Sequence, residues 1–452
     1  MSYSRWASPK EIKERTQGVN LNTGIKRTGI PIFYDDDYLY IDKQQSHTML
    51  IGSTGSGKTQ TIILPMLKMS MMAGESLVVN DPNGDLYRES KTQLTKEGYE
   101  VFVLDFEDSR KGFNWNPLDL AYRLYKENNK DKSLKMIEDL GYYIFYDSKD
   151  VNNDPFWTNS AINYFTGLVL YLFERAKKEE INLNSVEHLA TELNDKKTRE
   201  KFLAELDNNS RIYLKLVGIL KAPTETLGSI VSVFNQKIER YLSKENLSNM
   251  LSMSDFDIGE VINKKLAIFI ISGISSHSQS LIPLFINQLI DGIEEYGNSE
   301  KYYNILLDEF DSMVPIRNFA KLLGYCRSMN IKITVTIQSY IHLMNMYKKE
   351  ETEILKMCFG NIIYLLSEDI YTLEEISKYC GNVVENNKIK PLITVEELKT
   401  INVFEAIILM TRMMPIRTKL LPDYKIEWGY EEVPAEIPER KENNTQIYTL
   451  EK

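Results

Sequence analysis

Short, almost unbroken apolar runs recur along this chain: HTMLIG (47–52), SLVVND (76–81), EVFVLDF (100–106), LAIFIIS (266–272), NILLDE (304–309), IKITVTIQ (331–338), NIIYLLS (361–367) and FEAIILMT (404–411). A strand with one wet face alternates apolar and polar positions, whereas a strand covered on both faces does not. These runs predict strands of a mostly parallel sheet, and the helical patterns between many of them predict a doubly wound α/β fold. The spacing breaks once. Between Phe106 and Leu266 lie about 160 residues with almost no strand pattern, too many for a structureless loop in a compact domain. Helices are predicted there over 159–178, 185–206 and 225–242, with DPFW and KAPTE as breaks. The economical reading is an all-α domain inserted into a sheet domain. The expected boundaries are an N-terminal segment 1–45, a sheet domain 46–120 and 256–425, the insertion 121–255, and an acidic tail 426–452.

At 452 residues the chain exceeds one simple core, and its 43% apolar content is that of an ordinary globular protein. Cys326, Cys358 and Cys380 lie far apart without a CxxC pair, which argues against a zinc site or disulfide framework and suits a reducing cytosol. The four histidines show no ligand clustering. The N-terminus lacks the apolar core of a signal peptide, and no stretch of ~18 apolar residues encodes a transmembrane helix. The richest candidate, YFTGLVLYLFER, places Phe165, Leu168, Val169, Leu172 and Phe173 on one face and reads as a core helix. A net charge of −10 disfavours a generic polyanion binder, although a basic lining can sit inside an acidic shell. The start of the chain leans basic (Arg5, Lys10, Lys13, Arg15, Lys26, Arg27) and the end after Lys425 leans acidic; both read as solvated ends.

The chemistry concentrates in GSTGSGKT (52–59), which fits GxxxxGK[ST] between a predicted strand and a predicted helix. Gly52, Ser53, Thr54, Gly55, Ser56, Gly57, Lys58 and Thr59, with Gln60 opening the helix, form a predicted phosphate cradle. Glycines let backbone N–H groups close around phosphate, and the helix N-terminus adds positive potential. Lys58 is expected to reach the β- and γ-phosphates of ATP, and the Thr59 hydroxyl to ligate Mg2+. The adjacent acids of NILLDE then take separate tasks. Asp308, at the end of a second buried strand, is expected to hold the metal, and Glu309 to orient and deprotonate the attacking water. The nearby cation offsets their mutual repulsion. Gln338, ending IKITVTIQ, serves either as a hydrogen-bonding sensor of γ-phosphate or water, or as a strand-end turn residue. Arg327 is either an exposed helix-end arginine or a group reaching a neighbouring subunit's nucleotide. No NKxD-type guanine element is present, which disfavours a GTPase switch. A small-molecule kinase would not need so large a helical insertion.

With motifs in this order, the chain resembles the coupling proteins of type IV secretion and conjugation, the TraG/TraD family of P-loop ATPases. The resemblance rests on SRWASPKEIKE before the nucleotide domain, then VVNDPNGDLY, FNWNPLD, DPFW, LLDEFDSM, TIQSY and PIRTKLLPDY, spanning most of 5–424. It implies a RecA-like motor domain with an all-α domain, and a ring that is a homo-hexamer in its active form. It also implies DNA-stimulated ATP hydrolysis driving transfer of single-stranded DNA with its relaxase and relaxosome proteins, as for a plasmid or integrative element. The implied partners further include the type IV secretion channel and its ATPase components. Lys58, Thr59, Asp308 and Glu309 fall on the family's P-loop and acid positions, Gln338 on its motif glutamine. Arg327, eleven residues earlier, falls on the position of its trans-acting arginine. Asp81 and Asp85 fall in a family motif, and by themselves shape a turn around Pro82 and Gly84. Family members usually carry an N-terminal membrane anchor, and the resemblance starts where their cytoplasmic part normally begins; the expectation is either a soluble protein recruited by a small membrane partner or one whose anchor has been removed. The implied location is therefore cytoplasmic, at the membrane's cytoplasmic face through partners such as a small membrane-anchor protein. Two other readings remain: a double-strand DNA translocase of the same superfamily, and a substrate-docking adaptor whose ATP site only gates assembly.

Overall fold

The computed structural model describes residues 3–35, 38–145, 154–273 and 279–450; parts of the expected N-terminal segment, helical insertion, sheet domain and tail (1–2, 36–37, 146–153, 274–278, 451–452) fall outside it. Three short strands, β1 (Thr16–Asn20), β2 (Pro31–Asp35) and β3 (Tyr38–Asp42), pair antiparallel in the order β1-β3-β2. The main sheet takes β4 (Thr48–Gly52), β5 (Ser76–Asn80), β6 (Glu100–Asp105), β7 (Leu266–Ile271), β8 (Tyr303–Leu307), β9 (Ile331–Ile337) and β10 (Asn361–Leu366). A hairpin of β11 (Asn382–Glu385) and β12 (Lys388–Pro391) stands apart, and β13 (Glu405–Met410) and β14 (Ile416–Lys419) complete the nine strands. Their spatial order is β14-β13-β10-β4-β9-β8-β5-β7-β6. From β10 across to β7 every pair is parallel, and β13 and β14 add an antiparallel edge.

All eight apolar runs are strands of this sheet. β4, β5, β7 and β8 are buried at every position, which explains why none alternates. The chain divides into two compact units, one of residues 1–102, 262–271 and 296–436, the other of 103–261, 272–295 and 437–452. The first carries the sheet. The second is helical, built around the long helix Pro155–Arg175, whose start has Pro155 in its first turn and Asp154 accepting from the Phe156 N–H at 2.9 Å. Gly167 on that helix leaves room for Leu216; a Cβ there would lie 2.5 Å from it. The helix expected over 185–206 is two, Leu183–Glu192 and Lys196–Glu205. The first closes at Leu193, and Asp195 caps the second by accepting from the Thr198 N–H at 2.8 Å. Among the described residues no single helix is long and apolar enough to cross a membrane.

The FNWNPLD motif is a joint of the helical unit. Asn116 donates to the Ile181 carbonyl at 2.7 Å, Asn114 donates to Asp255 at 3.0 Å, and Trp115 packs edge-on to Phe285 at 5.1 Å. The start of the chain keeps its basic side chains at the surface, as a solvated end would, whereas the tail does not. Near the start, Lys13 pairs with Asp35, and Arg5 with Glu11 at 2.6 Å. In the tail, Arg440 is 6% exposed and donates to Asn114 at 2.8 Å, Asn249 at 2.7 Å and the Ser109 carbonyl at 2.6 Å. A guanidinium has five donors to satisfy, and this buried set fastens the acidic segment to the helical unit.

His47, just before β4, accepts from the Ile333 N–H at Nδ1 (3.0 Å), so its Nε2–H donates to the Leu323 carbonyl (2.7 Å). Both nitrogens are used by the neutral ring, and burial, with Arg327's charge adding to it, lowers the pKa from 6.5 to about 4. Between those values the unfolded chain binds a proton that the folded chain does not. Stability should therefore fall as pH drops from 6.5 toward 4, a slope that denaturant titrations would show and His47→Gln would lose.

Candidate nucleotide site

The phosphate loop leaves β4 at Gly52. The Ser53 N–H donates to the Leu366 carbonyl of β10 at 2.9 Å, which ties the loop to the neighbouring strand. Gly55 and Gly57 take φ of +78° and +92°, which residues with a Cβ resist, and a Cβ on Gly52 would lie 2.3 Å from the Ser56 hydroxyl. Lys58 folds over the loop, its ammonium donating to the carbonyls of Gly52 (2.5 Å) and Ser53 (3.2 Å). Burial lowers the Lys58 pKa, while the fields of Asp308, Asp311 and Glu309 oppose that shift. Thr59 opens a π turn, Thr59–Ile63, in which the Leu64 N–H reaches back to the Thr59 carbonyl. The α-helix Leu64–Ala73 continues from it; Pro65, lacking an N–H, sits where the wide turn gives way to the regular one.

The acids converge on this loop through the sheet. Ligand sites of parallel α/β sheets lie beyond the C-terminal strand ends, and β4 and β8 flank β9 there. Leu307 pairs with Val335, so the next residues, Asp308 and Thr336, stand side by side. The Thr336 hydroxyl donates to Asp308 Oδ1 at 2.6 Å and accepts from the Glu309 N–H at 2.9 Å. From β5, the Asn80 side chain donates to the Asp308 carbonyl at 2.6 Å. Asp308 is thus held from both neighbouring strands. Glu309 has φ 51° and ψ 41°, a left-handed conformation costly for a residue with a side chain. Phe310, buried against Phe319 and Tyr347 with ring centroids 5.1 and 6.1 Å away, anchors the turn that imposes it. The Glu309 carboxyl is exposed at the site, and its pKa is raised by partial burial and by Asp308, with Lys58 opposing.

Sequence reasoning did not single out Thr336, Asn80 or Asp311. Asp311 accepts from the Gln338 N–H at 2.7 Å, its side chain only 3% exposed, and His342 Nδ1 stands 3.8 Å away. It joins the acid turn to the end of β9 and so sets where Gln338, whose side chain is exposed, begins. The signal for Thr336 was a hydroxyl among the buried positions of IKITVTI, because a buried hydroxyl needs partners, but Thr334 offered the same signal. Asp81 accepts from the Tyr87 N–H at 2.8 Å and starts the helix Asp85–Lys96, with Gly84 at φ +77°; burial pushes the Asp81 carboxyl up to about 7. Asp85 pairs with Arg88 at the surface, so both act within the turn. Arg327 is not brought to this site. It is exposed before β9, and seven strand residues at about 3.3 Å each separate it from the Gln338 end by roughly 20 Å.

The residues present fit a triphosphate with a hard cation. Ser56 Oγ and Gln60 Oε1 are buried polar atoms of the loop without a protein partner, and the acids opposite offer the oxygen ligands such a cation takes. Fold and loop together define a RecA-like P-loop NTPase fold with a mostly parallel central sheet. The chain belongs to the family described as type IV secretory system conjugative DNA transfer, whose sequence model matches residues 5–389. Among solved structures, the plasmid coupling protein TrwB in complex with the ATP analogue ADPNP superposes with a TM-score of 0.70 at 15% identity, covering 93% of this chain and 94% of that one. TrwB in complex with ADP and Mg2+ gives 0.69 at 13% identity, with 93% and 94% covered. VirB4 of Thermoanaerobacter pseudethanolicus gives 0.56 at 12% identity, with 88% and 98% covered. At these identities the likeness is one of fold. None of the curated protein sequences compared matches the chain.

Proposed function

We propose that this chain hydrolyses ATP to drive conjugative DNA transfer, recruiting DNA with its relaxase to a type IV secretion channel. The observation that carries the reading is the placement of Asp308 and Glu309 across β9 from the P-loop, with Glu309 held in a strained conformation beside Thr336. Strain of this kind persists where function requires a fixed geometry. Family membership supports the DNA-transfer role, and the ATP analogue, ADP and Mg2+ named for TrwB support the nucleotide chemistry.

In this reading, loop N–H groups from Gly52 to Thr59 and the Lys58 ammonium bind the phosphates, Lys58 exchanging its loop carbonyls for them. Thr59 and Asp308 are the protein ligands for Mg2+, which would neutralise phosphate charge when bound. Glu309 takes the proton of the attacking water, its raised pKa making it a stronger base than an ordinary carboxylate. Gln338 orients that water or the γ-phosphate from the tip of β9. Arg327, at the far end of the same strand, serves a neighbouring protomer's site in a ring, which we take to be a homo-hexamer.

The test is steady-state ATP hydrolysis across protein concentration, with and without single-stranded DNA, using Glu309→Gln as the blank. Turnover should rise more than linearly with protein and further with DNA, and the DNA effect should fade with salt. Arg327→Ala should remove the rise with concentration. A flat, DNA-blind trace at the level of the blank would refute the motor and favour a docking adaptor.

A further inference from the structure

Phe404 holds a conformation that bulky residues avoid, with φ +65°. At the turns before the helix Phe319–Cys326, before β9 and within the β11–β12 hairpin, positive φ falls to Asn318, Asn330, Asn386 and Asn387, residue types suited to it. An aromatic ring in such a place calls for a reason. Phe404 immediately precedes β13, which runs antiparallel to β10. The beginning of β13 therefore lies at the end of the sheet where β4 and β10 finish, beside the phosphate loop. The contact is direct: a Cβ built on Gly57 would lie 2.9 Å from Cε1 and 3.0 Å from Cδ1 of Phe404. The ring edge thus rests on loop backbone one residue before Lys58.

Three contacts hold the strained backbone in place. The Leu420 N–H donates to the Phe404 carbonyl at 2.8 Å, the Glu405 N–H donates to the Asn402 carbonyl at 3.0 Å, and Arg417 pairs with Glu405 at 2.5 Å. The ring is not core filling. Phe404 is only half-buried and its neighbour Val403 is 67% exposed, whereas core rings such as Phe310 and Phe319 are at most 1% exposed.

We propose that Phe404 forms the base subsite of this nucleotide site, an aromatic platform on which the purine of a bound nucleoside triphosphate stacks. The proposal rests on the nucleotide reading above. A phenyl ring carries no hydrogen-bond code, and every base has a π-face, so Phe404 supplies affinity for the base without choosing between adenine and guanine.

The experiment measures dissociation constants of ATP, GTP, ribose 5-triphosphate and inorganic tripolyphosphate, each with Mg2+, for the full chain and for Phe404→Ala and Phe404→Tyr. In the unaltered chain ATP and GTP should bind alike, and roughly tenfold tighter than ribose 5-triphosphate, the size of one base–aromatic stack. Phe404→Ala should remove that advantage and leave tripolyphosphate binding where it was, and Phe404→Tyr should restore it. Equal affinity of the unaltered chain for ATP and ribose 5-triphosphate would overturn the proposal, and that arm needs no variant. So would a Phe404→Ala chain that loses tripolyphosphate as much as ATP, because the ring would then only prop the loop. An unaltered chain that binds neither ATP nor tripolyphosphate would overturn the nucleotide reading itself, which separates the two failures.

Discussion

Glu309→Gln should bind ATP as the unaltered chain does and lose about a hundred- to ten-thousandfold of its turnover, the range one general base contributes. Gln has the shape of Glu, so the Glu309 N–H bonds to Thr336 and Asp308 and the turn anchored by Phe310 should persist. What is lost is the ability to take a proton from water. Lys58→Ala should behave oppositely, weakening nucleotide binding itself, because it removes the ammonium that folds over the loop. The pH profile adds an independent reading. The Glu309 pKa is raised, first by partial burial and then by Asp308, so turnover should fall on acidification at a pH above that of an ordinary carboxylate. Rapid-mixing measurements of nucleotide binding beside steady-state hydrolysis would separate these effects. Unchanged turnover in Glu309→Gln would sink the assignment.

The sheet could be read from sequence because its strands are covered on both faces, and eight unbroken apolar runs cannot easily be anything else. The strands that escaped notice are those with exposed or polar positions. β11 and β12 are exposed along nearly their whole length, β14 alternates buried and exposed over four residues, and β1 reads TQGVN. The break at Asp195 was hidden because a capping carboxylate also sits comfortably on a helix surface. At the site, the residues of GSTGSGKT and NILLDE declared themselves by local chemistry. Thr336 and Asn80 did not, because their contacts with Asp308 depend on strand register, and a one-residue shift would turn each to the other face. Arg327 shows the limit from the other side. Its distance from Gln338 in sequence is short, yet a whole strand separates the two in space, so Arg327 stands apart from the nucleotide site of its own chain.

Lys68→Ala should destabilise the fold by about 3–5 kcal/mol, the range for leaving a buried ion unpaired. Lys68 lies on the helix that follows the phosphate loop, and its side chain is 2% exposed. Its ammonium pairs with Asp423 at 2.5 Å and with Glu432, both in the segment after β14. Trp428 completes the cluster, donating from Nε1 to the other oxygen of Asp423 at 3.0 Å, its ring 5.6 Å from the ammonium. The two acids are not equivalent. Glu432 is 41% exposed and can return to water, whereas Asp423 is 6% exposed and cannot. Burial pushes the Asp423 carboxyl up, and the Lys68 ammonium pulls it back. Removing the lysine therefore strands one carboxylate, and Asp423→Asn in that background should recover much of the loss. Denaturant unfolding followed through tryptophan fluorescence would measure the double-mutant cycle, with a coupling of about 3 kcal/mol expected, the upper end for residues in one network. Because the same helix begins at the phosphate loop, loosening its far side should also weaken ATP binding on warming before the sheet unfolds. Additive losses, or ATP affinity that survives to the global melt, would reduce the cluster to ordinary packing.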